Sequence, residues 1–302
     1  MNQYQQHPLD LFDPHRKGYK AVNGWAMAWA SNLAYKSEAQ IRGAFDGFSQ
    51  IDDCKIKYFE DKRSGAEAYA ISTRTFVLIA IRGTNDLTDI RYDTRAWLQK
   101  FEGGGSVHHG FLEQLDAIWE KLACFVHRET DRVANKKLWI TGHSLGGAIA
   151  VLAATRFLDD KSCSFNDQFE FGHLYTFGQP RVGNKEFVNY AKPLLKGKYH
   201  RGTKANDMVA NALPPNIVYK HFGAEWYVKR SGKINPSVRL TTKSWDRRAG
   251  QLAFVINLLP NLMFKRVFAL FYDHRLDKYE RHFFDSYQNA LKRQGRRTHA
   301  KD

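Results

Sequence analysis

The run Gly142-His143-Ser144-Leu145-Gly146-Gly147-Ala148 sets one serine between glycines placed two residues before and two after it. This is the G-x-S-x-G spacing of a nucleophile elbow, in which a strand turns sharply into a helix and lifts a serine hydroxyl toward a carbonyl. Residues flanking the serine at that distance crowd each other, which is why Gly suits 142 and 146, and the serine itself is forced into a strained conformation. Gly147 and Ala148 keep the departing helix thin enough to pack near a sheet. Its N-terminus lends positive potential beside a reacting carbonyl. The pattern alone also fits a tight turn around a buried serine, so the partners must decide.

A serine hydroxyl attacks poorly without a base, and the base needs an orienting acid. Behind such an elbow the partners follow in the chain order serine, acid, histidine. The acids after Ser144 that can serve are Asp159, Asp160, Asp167, Glu186, Asp207 and Glu225. Of these, Asp207 sits just past the strand-like run "YHRGTKAND", where the functional loops of an open parallel sheet collect. The alternative for Asp207 is a turn residue within "KANDMVANALPP". The later histidines are His221, His274, His282 and His299. His221 lies in the strand-like "VYKHFGAEWYV" and His299 in a polar tail. His274 opens "HRLDKYERHFFDSYQNALK", a helix start facing a loop, and is preferred over His282 as the base.

The elements that must hold these residues alternate. Apolar residues at helical spacing in "AVNGWAMAWASNLAYK" (21–36) predict a docking helix. The runs 54–60, 66–73 and 75–83 read as strands, the last being nearly all apolar and β-branched, as a strand covered on both faces should be. An amphipathic helix follows at 110–129. Then come a strand into the elbow, a helix over 145–158, a strand at 173–180, a helix through "NKEFVNYAKPLL" and a strand at 198–207. This succession argues for an α/β fold with a mostly parallel central sheet flanked by helices.

The 302 residues, 43% hydrophobic and 25% charged, suit a globular protein with a sizeable core. No repeat or low-complexity linker appears, which favours one continuous domain over 19–288, with a polar segment at 1–18, a basic and apolar insertion at 231–272 and a basic tail at 289–302. Cys54, Cys124 and Cys163 are odd in number and lie far apart, without metal-ligand spacing, so reduced thiols are expected and no metal site. The first 20 residues lack a signal-peptide pattern. A cytoplasmic or peripheral membrane location is therefore expected, with non-classical export left open.

The net charge of +15 is concentrated late: residues 229–302 carry 17 Lys and Arg against 6 Asp and Glu. Such asymmetry points to an anionic partner. In 252–272, "LAFVINLLPNLMFKRVFALFY", 16 of 21 residues are apolar, but Lys265, Arg266 and Pro260 interrupt any membrane span. A broken apolar helix pair with basic flanks fits an anionic lipid surface met through residues 243–275, each nearby cation contributing on the order of 1 kcal/mol. Nucleic acid accounts for the charge but not for the apolar run, and is not expected.

Six blocks, "IRGT" (81–84), "VHHGF" (107–111), "GHSLGGA" (142–148), "YTFGQPRVGN" (175–184), "NDMVANALPP" (206–215) and "YKHFGAEWYV" (219–228), resemble in content and order the fungal-type, or class 3, lipases. The resemblance spans roughly residues 20–285. It implies an α/β-hydrolase fold, carboxylic ester hydrolysis without metal or cofactor, and Ser144, Asp207 and His274 as the triad. It also implies an oxyanion hole formed by Thr84 with the backbone N–H of Leu145, and a movable helical lid in "DLTDIRYDTRAWL" (86–98), where Leu87, Ile90 and Trp97 recur at near-helical spacing. The family's acid block usually has Pro where Ala210 stands, and the stretch from Arg230 to His274 departs from its pattern. Two rival readings remain: cleavage of anionic phospholipids in the manner of a phospholipase A1, and a catalytically weak protein that binds lipid through its basic, apolar region 229–302.

Overall fold

A computed structural model describes residues 6–83, 97–131, 136–159, 170–204, 207, 209, 219–229, 231–236 and 274–298. The insertion core at 237–273, the lid positions Leu87 and Ile90, and Thr84 all lie outside the described residues, as do Asp160, Cys163, Asp167 and His299.

An eight-stranded sheet forms the centre: β1 (Lys55–Asp61), β2 (Ala66–Ser72), β3 (Phe76–Ile81), β6 (Lys137–His143), β7 (Glu170–Phe177), β8 (Tyr199–Lys204), β9 (Ala224–Val228) and β10 (Ile234–Pro236), hydrogen-bonded in that order. The pairings from β3 through β9 are parallel, and the edges β1–β2, β2–β3 and β9–β10 are antiparallel. A separate hairpin joins β4 (Leu98–Lys100) to β5 (Ser106–His108).

The strand side chains alternate between two cores. Val77, Ile79, Ile81, Leu138 and Ile140 face one layer, with α3 (His109–Asp131), α4 (Leu145–Leu158) and α5 (Lys185–Leu194) over it. Phe76, Leu78, Ala80, Trp139, Tyr175 and Phe177 face the other, covered by α1 (Ala21–Leu33), α2 (Glu38–Ala44) and α6 (Leu276–Thr298). Both faces of the central strands are buried, which explains why β3 is apolar without alternation. α1 is covered nearly all round because α6 lies on it: Trp25 stacks on Tyr287 at 5.4 Å and meets Phe284 at 4.9 Å, and Asn32 donates to Glu280. Burial of this kind, at roughly 25 cal/mol per Å² of apolar surface, is what holds α6 in place.

On the α1 side of the sheet lies a chain of hydrogen bonds between rings. Trp226 Nε1 donates to His200 Nδ1 at 3.2 Å, His200 Nε2 meets His173 Nδ1 at 3.1 Å, and His173 Nε2 meets the carbonyl of Arg16 at 3.2 Å. The carbonyl can only accept, so His173 carries its proton on Nε2 and His200 must donate to it. Both imidazoles are therefore neutral.

The expected lid helix through 98 is corrected at its end. Leu98 begins β4, where three residues pair with β5, and Trp97 just before it is 55% exposed and stacks on His109 at 4.9 Å. The pairing of the hairpin overrides the helical spacing of the apolar residues there.

Candidate active site

β6 is buried at every position and ends at His143; α4 begins at Leu145. Ser144 between them has φ 55° and ψ −132°, the one non-glycine residue with positive φ among the described residues. Holding a side chain there costs on the order of 1–3 kcal/mol. The surroundings enforce it: the N–H of Ser144 donates to the Phe177 carbonyl at 2.9 Å, and its own carbonyl accepts from Gly147 at 2.9 Å. A Cβ at Gly142 would lie 2.4 Å from the Gly146 oxygen, and one at Gly146 would lie 2.3 Å from the Ile81 oxygen. No side chain fits at either place, so the elbow can close only with glycine. The Leu145 N–H lies in the first turn of α4, where backbone donors have no intrahelical acceptor.

Asp207 follows β8 and is fully covered. Its carboxylate accepts from His274 Nδ1 at 2.9 and 3.0 Å, from the Tyr279 hydroxyl at 2.6 Å and from the Val209 N–H at 2.9 Å. Burial alone would raise the carboxyl pKa. The His274 charge and the bonds from His274 and Tyr279 outweigh it and hold Asp207 below its ordinary value. With Nδ1 committed to Asp207, His274 keeps its Nε2 lone pair for a base. Among the described residues, Ser144 Oγ and His274 Nε2 are buried atoms with no hydrogen-bond partner. Bonds of this kind commonly tighten only when substrate binds.

Gly178, just past β7, closes the same corner. It has φ 57°, and a Cβ there would lie 2.5 Å from Asp207 Oδ2 and 3.0 Å from His274.

The other candidate acids stand elsewhere. Asp159 caps the far end of α4, roughly 20 Å from Ser144 at 1.5 Å per residue. Glu186 is exposed in the first turn of α5, and Glu225 accepts from Thr203 in β8–β9. His221 is half-buried ahead of β9, and His282 reaches the β9–β10 turn at Gly232. Among the candidates within the described residues, only Asp207 and His274 meet.

Three contributors escape a reading of the sequence. Tyr279 lies one turn into α6, Tyr35 just past α1, and Gly178 follows β7. A tyrosine five residues after the candidate base, on a helix that starts beside it, is the one signal that was available.

A strained serine between a parallel strand and a helix, at the carboxyl ends of a mostly parallel sheet, defines the architecture of an α/β-hydrolase. A family model described as "Lipase (class 3)" matches residues 78–217. Over that stretch, just under half of the chain, the sequence is similar to the class 3 lipases of the α/β-hydrolase superfamily. It is 31% identical over 181 residues to a secreted mono- and diacylglycerol lipase of Fusarium solani, covering 55% of this chain and 48% of that protein. It is 34% identical over 127 residues to a lipase of Rhizomucor miehei, covering 41% and 33%. The structure of a triacylglycerol lipase whose catalytic centre is described as a serine protease triad superimposes with a TM-score of 0.59 and 25% identity, over 71% of this chain and 83% of the other. The chain thus spans about half or less of the length of these curated relatives.

The expectation of a cytoplasmic or peripheral membrane location is corrected by the same comparison. The Fusarium relative is a secreted enzyme, which counts against that expectation. Scattered cysteines and a polar start were a poor guide to compartment.

Proposed function

We propose that the chain is a serine carboxylic-ester hydrolase acting on lipid esters through an acyl-enzyme. What carries the reading is the pairing of a strained, unpartnered Ser144 hydroxyl with a His274 whose Nδ1 is tied to a buried carboxylate while Nε2 stays idle. Ser144 Oγ attacks the ester carbonyl as His274 Nε2 takes its proton. Asp207 fixes the tautomer and balances the imidazolium. The Leu145 N–H, with Thr84, receives the oxyanion, each such donor being worth a few kcal/mol. His274 then protonates the departing alcohol, and water activated by the same imidazole cleaves the acyl-enzyme. The relatives named for acylglycerol hydrolysis support glycerides as the substrate class.

Contact with an anionic membrane through residues 243–275 belongs to the same proposal and is supported by the net positive charge of residues 229–302. The test is turnover of a long-chain p-nitrophenyl ester by wild type and Ser144→Ala. Loss of at least 10³-fold in the variant is expected. Equal, negligible turnover in both, with retained binding to vesicles, would replace the enzyme by the lipid-binding reading. Comparing fatty-acid release from triacylglycerol and from anionic phospholipid vesicles separates lipase from phospholipase.

A further inference from the structure

His143 stands next to the candidate nucleophile in the chain, is buried, and has no part in the proton transfers described above. Its two ring nitrogens are both engaged. Nε2 lies 2.7 Å from the backbone carbonyl of His274, and Nδ1 lies 2.8 Å from the hydroxyl of Tyr35. A carbonyl only accepts, so the proton sits on Nε2, and Nδ1 accepts from Tyr35. The His143 and His274 rings are 4.5 Å apart, inclined at 34°.

We propose that His143 is a positioning residue for the base: by donating to the His274 carbonyl it fixes the backbone of that residue against the strand that carries Ser144. His274 is then held at two points, its peptide by His143 and its Nδ1 by Asp207, and with both fixed the location of Nε2 follows. Because His143 is covalently joined to Ser144, this single side chain sets the spacing between nucleophile and base. Tyr35 keeps the tautomer in which Nε2 is the donor.

The task requires a neutral ring. A second cation 4.5 Å from an imidazole that must charge in every turnover would oppose that charge. Burial first, then the neighbouring His274, push the His143 pKa down to about 3. The groups that face it are Tyr35 after α1, His274 and Tyr279 at the start of α6, and Asp207 after β8; Arg82 lies beyond, over the Tyr35 ring.

The inference rests on the reading of Ser144, Asp207 and His274 as a working triad, and Ser144→Ala tests that reading separately. The decisive set is His143→Phe, His143→Gln and His143→Asn, measured for kcat, KM and the pH profile of kcat/KM on a p-nitrophenyl ester. Glutamine places an N–H near the position of Nε2, asparagine falls one methylene short, and phenylalanine keeps the ring without a donor. Since a displacement of about 1 Å in a reacting group can cost about 10²-fold, the Phe and Asn variants should lose about 30- to 100-fold in kcat. KM should stay within about twofold, and the acid limb, which reports protonation of the base, should move. The Gln variant should remain within about fivefold of wild type. Should the Phe variant fail to fold, the Gln–Asn pair still decides, with Gln at least about tenfold faster. Equal kcat for Gln and Asn, or loss in all three with an unmoved acid limb, overturns the positioning role while leaving the triad intact. Full activity in Ser144→Ala overturns both.

Discussion

The chain of rings Trp226–His200–His173 makes the fold sensitive to mild acid, and the size of the effect follows from its geometry. His200 donates from Nε2 and accepts at Nδ1 from an indole N–H that can only donate. A proton added at Nδ1 would face another proton. Burial first, then the neighbouring His173, push the His200 pKa down to about 3 from an ordinary 6.5. Folding therefore favours the neutral ring. Its contribution is whole above pH 6.5 and is lost as the pH falls through 6.5 toward 3, because the unfolded chain takes up the proton first. At pH 5 the unfolded form has gained 1.5 units of protonation free energy, about 2 kcal/mol at 1.36 kcal/mol per unit. That is a large share of the 5–15 kcal/mol by which domains are usually stable. Urea unfolding at pH 7 and pH 5 measures it, with His200→Gln as the comparison, since glutamine cannot titrate. Wild type should lose about 2 kcal/mol more than the variant between the two pH values, with unchanged m. An identical pH dependence in both proteins would refute the reasoning.

Two further substitutions test the corner where the acid and base meet. Gly178→Ala places a methyl 2.5 Å from Asp207 Oδ2 at a positive φ; it should lower stability by about 1–3 kcal/mol in thermal unfolding and reduce kcat by more than about tenfold. Tyr279→Phe removes one donor from the buried Asp207 carboxylate. Losing that partner costs about 1–3 kcal/mol and raises the Asp207 pKa, so the variant should lose stability at a higher pH than wild type during acid titration followed by circular dichroism.

The sheet was legible because its signals are strong and local. Phe76–Ile81 is apolar at every position, and the small residues of α4 follow directly on a buried strand, so a parallel sheet with covered faces was the natural reading. β4 was not legible: three residues at Leu98–Lys100 form a strand only because β5 lies beside them, and the apolar spacing around Trp97 suggested a helix instead. The elbow announces itself through two glycines that steric crowding demands. The meeting of Asp207 with His274 is another matter, since 67 residues of chain separate them and no periodicity encodes that closure. Tyr35 lies more than 100 residues before the histidine it touches, and nothing near it in sequence hints at the contact. Compartment was misjudged because cysteine spacing reports oxidation chemistry weakly when the thiols are few.

The docking of α6 on α1 has a consequence for how the protein loses activity. His274 is borne at the head of a helix whose grip comes from Trp25, Asn32 and their partners, while Ser144 is anchored in the sheet. The two halves of the proposed reaction thus rest in large part on different anchors, although His143 links them. A modest weakening of the helix–helix seam would let the imidazole swing away in a fraction of molecules while the sheet stays intact. Hydrolysis would then fade under denaturant or heat ahead of any spectroscopic sign of global melting, making the seam, and not the central strands, the place to strengthen in a longer-lived catalyst.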